Sequence, residues 1–164
     1  MTDARFEDGA ERPLQLLARD GSDLTVLSAL AQDAVLTGAD LRYDRARRRF
    51  SLLVNRFRWE DEGRARATGR RVERVRAVLE FSDVTGVAHQ GLSRDAATVL
   101  SLLSVAYTPE TEVAEGEVAG PGRVVLTFAG DGALALDVEC LEVLLADVTR
   151  PYVAPSGRAP SHPA

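Results

Sequence analysis

Residues 55–59, Asn-Arg-Phe-Arg-Trp, alternate two guanidinium groups with Phe57 and the chain's single tryptophan, Trp59. Arginine forks match the paired oxygens of phosphates and carboxylates and stack on aromatic rings. Interleaved basic and aromatic groups are what sequence-tolerant single-stranded nucleic-acid surfaces use. Asn55, Arg56, Arg58, Trp59, Arg70, Arg71, Arg74 and Arg76 therefore form the candidate surface for an anion or a partner. A structural reading competes with this one. On a strand, Asn55, Phe57 and Trp59 share one side and Arg56 and Arg58 the other. The aromatics would then cap the core edge, while the arginines pair with acids and shield a sheet edge from a second sheet.

Charge makes this segment unusual. Residues 42–76 hold 13 arginines and five acids, a local +8 in a chain whose formal net charge is −5. An acidic chain with one basic segment points to an anionic partner or to internal neutralisation. The acidic loop 108–122, with Glu110, Glu112, Glu115 and Glu117, is one source of such neutralisation. The chain contains no lysine, which removes Schiff-base and P-loop chemistry.

Other chemistry is thinly represented. Two histidines, His89 and His162, and one cysteine, Cys140, are too few for a cysteine–histidine zinc site and exclude an internal disulfide. Cys140 reads as a small core residue on a strand rather than a nucleophile. Asp137, Glu139, Glu142 and Asp147 line the last strand and its continuation. Paired carboxylates there would suit a small enzyme doing acid/base work, the binding of a divalent cation, or the wet face of an amphipathic strand. Neither a dinucleotide fingerprint nor a nucleophile elbow is present. No cofactor and no metal is expected.

These residues must be held by a fold whose periodicity is mostly two. Residues 13–18 suggest a first strand. Leu24, Leu27, Leu30, Ala31 and Ala34 recur at helical spacing, with Ser22 as N-cap and Gly38 as stop. Strand signals follow around "RARR", over 72–81, after "DVTG" and over 98–107. "RVVLTFAGDGALALDVEC" reads as a hairpin turning at "GDG". Beyond it the alternation slips by one residue, which fits a bulged strand over 141–148 better than a short helix. "RDGSDLTVLSAL" echoes "RDAATVLSLL" and hints at an internal repeat. The predicted class is α+β: a mostly antiparallel sheet of about seven to nine strands, curled into a sandwich or half-barrel, with one early helix. Residues 1–12 read as a flexible arm, 13–149 as one domain and 150–164 as a disordered Pro-rich tail.

Three ordered blocks, "DLTVLSALAQDAV", "RRFSLLVNRFRWE" and "FAGDGALALDVECLEVLLAD", resemble the bacterial domain-of-unknown-function family 2948 across roughly residues 13–150. The block positions are Gln32, Asp33, Asn55, Arg56, Phe57, Trp59, Glu60, Glu139 and Cys140, and the resemblance gives none of them a role. The "GDG" turn departs from a more glycine-rich pattern, and 134–136 lack an arginine the pattern has.

The resulting expectation is a non-enzymatic cytoplasmic module that works through contacts, with an unknown protein or with itself as a homodimer on an exposed sheet edge. Anion or nucleic-acid binding through 42–76 is the alternative, and a small enzyme the third. The acidic, polar N-terminus lacks a basic-then-apolar leader pattern. No apolar run is long enough to span a bilayer as a helix.

Overall fold

In the computed structural model the alternation of Phe50, Leu52 and Val54 against Ser51, Leu53 and Asn55 becomes strand β4 (Arg49–Phe57). Its neighbour β5 (Glu73–Phe81) alternates in the same way. The two pair antiparallel from Phe50↔Phe81 to Phe57↔Arg74. Leu52, Val54, Ala77 and Leu79 enter the core together and are 0–1% exposed, so the opposite face carries Ser51, Leu53, Asn55, Val78, Arg76 and Arg74. The structure describes residues 13–69, 71–93, 95–112, 117 and 119–153. The N-terminal arm, Arg70, His162 and part of the acidic loop 108–122 lie outside these residues.

The remaining elements in chain order are β1 (Gln15–Ala18), α1 (Gly21–Ala31), β2 (Val35–Thr37), β3 (Leu41–Asp44) and α2 (Glu62–Ala67), which precede or separate β4 and β5. Then come β6 (Val84–Gln90), β7 (Val99–Pro109), β8 (Gly122–Phe128), β9 (Ala133–Val138), β10 (Val143–Asp147) and β11 (Tyr152–Val153). Single 3₁₀ turns occupy Gly38–Asp40 and Trp59–Asp61. All pairings are antiparallel and join into one open eleven-stranded sheet of order β1-β10-β5-β4-β2-β7-β8-β9-β6, with β3 added on β4 and β11 on β5. Register shifts between Leu102 and Ser104 and between Val84 and Gly86 add the local bend that such bulges give. Both halves of the sheet feed one apolar cluster, onto which α1 packs Leu24, Leu27 and Ala31.

Several expectations change. Among the described residues the sheet has eleven strands, not seven to nine, because β2 and β11 are too short to show a period. A second short helix, α2, joins the expected early one. The N-cap of α1 is Asp20, whose side chain accepts from the Asp23 amide at 2.8 Å, and not Ser22. The helix stops at Ala31, well before Gly38, as Asp33 takes φ 63° and Val35 starts β2. The two echoing segments adopt different structures, α1 in the first case and a turn leading into β7 in the second. Residues 143–147 are a strand, as preferred, and the slip in alternation has a topological cause. The chain leaves β9 at Val138 and joins a different row of the sheet between β1 and β5. The tail expected from residue 150 begins with β11, which extends the β10 row along β5 through Tyr152↔Arg74.

Candidate functional site: an arginine-rich sheet face

Parity decides the fate of Arg56. Phe50, Leu52 and Val54 point into the core, so Arg56 two residues on does as well, and it is 0% exposed. Asp147 arrives from β10 on the same face, opposite Ala77. Arg56 Nε and Nη2 donate to the two oxygens of Asp147, both at 3.0 Å. Nη1 and Nη2 donate to the two oxygens of Glu60 at 2.9 Å, and the remaining Nη1 hydrogen reaches the Phe57 carbonyl at 3.1 Å. All five N–H donors are thus used, two of them on each carboxylate. Burial alone would lower the Arg56 pKa, but the two carboxylates outweigh it and the net shift is upward. Asp147 also accepts from the Leu14 amide at 2.9 Å, which ties β1 into the same knot.

Arg58 is 5% exposed and lies 3.7 Å from Asp61 and 3.6 Å from Glu73. Trp59 is half-buried, and its indole N–H donates to the Gln32 carbonyl at 2.8 Å, fastening the β4–α2 turn to the end of α1. Phe57 is 1% exposed, with Trp59 tilted against it at a 5.4 Å centroid distance and the Arg74 guanidinium 4.0 Å from its ring centroid. It has no free face on which a base can stack.

The outward-facing arginines divide into two sets. Arg47, Arg48, Arg49 and Arg66 meet Asp44, Glu139, Glu80 and Glu62. Arg42, Arg45, Arg71, Arg74, Arg76 and Arg150 have no ion-pair partner among the described residues. Arg74 and Arg76 stand two apart on the outer face of β5, so their side chains share that face. Beside them Asn55 lies opposite Arg76, and its amide donates to the Tyr152 hydroxyl. Two polar atoms of this group are buried without a hydrogen-bond partner: Arg74 Nε and Asn55 Oδ1. Burial pulls the Arg74 pKa below the usual arginine value, against a smaller opposing effect of Tyr152.

Of the predicted surface, then, Asn55, Arg74 and Arg76 come together on one face with Tyr152, which sequence reasoning placed in a tail. Arg71 is exposed before β5, Arg56 and Arg58 are buried in ion pairs, Trp59 is committed to Gln32, and Arg70 lies outside the described residues.

The candidate catalytic groups separate. Asp137 pairs with Arg123 at 2.9 Å, Glu139 with Arg48, Glu142 with Arg19 at 3.2 Å and Asp147 with Arg56. Cys140 is not an inward strand residue, because β9 ends at Val138. It is half-buried, and its thiol donates to Asp83 at 2.9 Å. That hydrogen bond, with burial, pushes the thiol pKa up to about 11, the opposite of what a nucleophile needs. His89 is exposed on β6. Among the described residues no group of three or more His, Cys, Asp or Glu could hold a metal ion, and no helix is long and apolar enough to cross a membrane.

An open antiparallel sheet with buried arginine–carboxylate knots on its core side, and with Arg74 and Arg76 side by side on its outer face without an acidic partner among the described residues, defines an α+β module. The chain belongs to the family described as protein of unknown function DUF2948, whose model matches residues 14–162. No curated protein and no solved structure matches it. Several of the residues that carry the family resemblance sit in these contacts: Arg56 forks onto the partly exposed Glu60, Trp59 reaches the Gln32 carbonyl, and Cys140 donates to Asp83.

Proposed function

We propose that this chain is a non-enzymatic interaction module of the cytoplasm that recognises an anionic, phosphate-bearing group through Arg74 and Arg76, flanked by Asn55 and Tyr152. One observation carries the reading. Among the described residues the two arginines stand side by side without an acid, one with an unpartnered buried Nε, whereas the buried Arg56 and Arg58 are matched to carboxylates. An anion docking there offsets the desolvation that lowers the Arg74 pKa. The burial of Phe57 argues against base stacking and favours recognition of the phosphate itself. The separate pairing of Asp137, Glu139, Glu142 and Asp147, and the raised Cys140 pKa, support a binding role over a catalytic one.

The test is a titration with pyrophosphate and with a short single-stranded oligonucleotide. Replacing Arg74 and Arg76 together by alanine should weaken binding at least about tenfold, since a charge-assisted hydrogen bond contributes roughly 1.5–3 kcal/mol. Unchanged affinity, or no affinity in the native chain, overturns the reading.

A further inference from the structure

The sheet ends at β6, whose sequence, VTGVAHQ, contains no charged residue and no proline. Terminal strands are usually guarded by charge, proline or a twisting bulge. The bulge at Thr85 guards only the first part of β6. There the strand also faces the β3–β4 hairpin across an open cleft of about 580 Å³, lined by Tyr43, Arg45, Arg48 and Val84–Val87, with Arg48 already paired to Glu139. Tyr43 closes its floor by donating to the Val84 carbonyl at 3.1 Å. Gly86–Gln90 continue past the bulge, and among the described residues they pair only with β9. Ala88, His89 and Gln90 are exposed, although His89 shares the core-facing side with Val87 and buried Leu134.

We propose that β6 pairs antiparallel with β6 of a second copy of this chain, about a two-fold axis at Ala88, the midpoint of Gly86–Gln90. A two-fold contact sets each residue near its own symmetry mate, so a charge at the centre would meet its like. An uncharged strand suits this occupant better than a charged foreign segment. The two ends of the strand supply complementary charges. Arg45 lies on the cleft at the Val84 end. Asp131 lies at the other end, where its carbonyl is 3.0 Å from the position a Gly91 Cβ would take. Both are exposed, and neither has an ion-pair partner among the described residues. Antiparallel pairing brings Arg45 of one copy toward Asp131 of the other, twice per dimer.

Light scattering across a concentration series tests this directly. The native chain should show a reversible monomer–dimer equilibrium. Ala88→Lys, which puts like charges on the axis, should leave a monomer with unchanged melting temperature and circular dichroism. Arg45→Glu or Asp131→Arg alone should weaken the dimer about fivefold or more, two exposed pairs being lost at up to about 1 kcal/mol each. The double exchange should restore it. Ala88→Cys in a Cys140→Ser background should cross-link under oxidation, because directly opposed antiparallel positions lie within disulfide reach. A native chain that stays monomeric at every concentration, or a dimer untouched by Ala88→Lys, overturns the proposal.

Discussion

The guanidinium of Arg56 and the carboxylate of Asp147 meet inside the sheet through two 3.0 Å hydrogen bonds, with side-chain exposures of 0% and 3%. One comes from the middle of the chain and the other from its last long strand, so the pair joins β4 to β10 across β5. Removing one partner of such a pair leaves a buried charge uncompensated. Arg56→Ala is expected to destabilise the fold by about 3–5 kcal/mol in denaturant titrations. Arg56→Lys should recover only part of that, because an ammonium cannot fork onto Asp147 and Glu60 together. Replacing all three by apolar residues of similar size should restore stability toward the native value.

The cap of α1 gives a cleaner comparison. Asp20→Ala should cost about 0.5–2 kcal/mol in thermal or chemical unfolding, as the Asp23 amide loses its acceptor. Ser22→Ala should change little, because Ser22 lies exposed in the first turn and makes no capping bond.

Cys140 predicts a pH dependence with a definite sign. Its pKa is raised in the folded state to about 11 from an ordinary value of 9.0, chiefly by the hydrogen bond to Asp83. A raised folded pKa means the native state holds the proton more tightly. The stabilisation is complete below pH 9 and is lost as the pH climbs through 11. Unfolding titrations across that window should fall more steeply for the native chain than for Cys140→Ser. At neutral pH the thiol should alkylate much more slowly in the folded chain than in the denatured one.

Trp59 reports on the junction of α1 with the β4–α2 turn. Trp59→Phe keeps the ring near Phe57 but loses the donor to the Gln32 carbonyl, at an expected cost of about 1 kcal/mol. A loss of more than 3 kcal/mol in equilibrium unfolding would show that the indole ring does more there than its hydrogen bond.

Much of this was legible in the sequence, and the rest has physical reasons for having been hidden. The alternation of Val75, Ala77, Leu79 and Phe81, and of Val124, Leu126 and Phe128, translated directly into buried faces. The positive φ of Gly130 and Asp131 follows from the "GDG" turn. The end of α1 was hidden because "QDAV" continues the helical spacing of apolar residues, so Ala34 is buried without being helical. The core-edge placement expected of Phe57 holds, at 1% exposed, and Trp59 is half-buried; strict parity from Phe50, Leu52 and Val54 adds Arg56 to the buried side. The same parity from Val143 and Leu145 leads to Asp147, so the buried ion pair could be read from two alternations taken together. Tyr152 gave no such signal, because a two-residue strand beside a proline has no period.

The salt dependence of anion binding tests the account most directly. Affinity for a short single-stranded oligonucleotide should fall linearly with salt on logarithmic axes. The slope should become shallower by about 1.4, roughly 0.7 for each lost phosphate contact, when Arg74 and Arg76 are both replaced by alanine, with the melting temperature unchanged. An identical slope in native and substituted chains, or binding indifferent to salt, would contradict it.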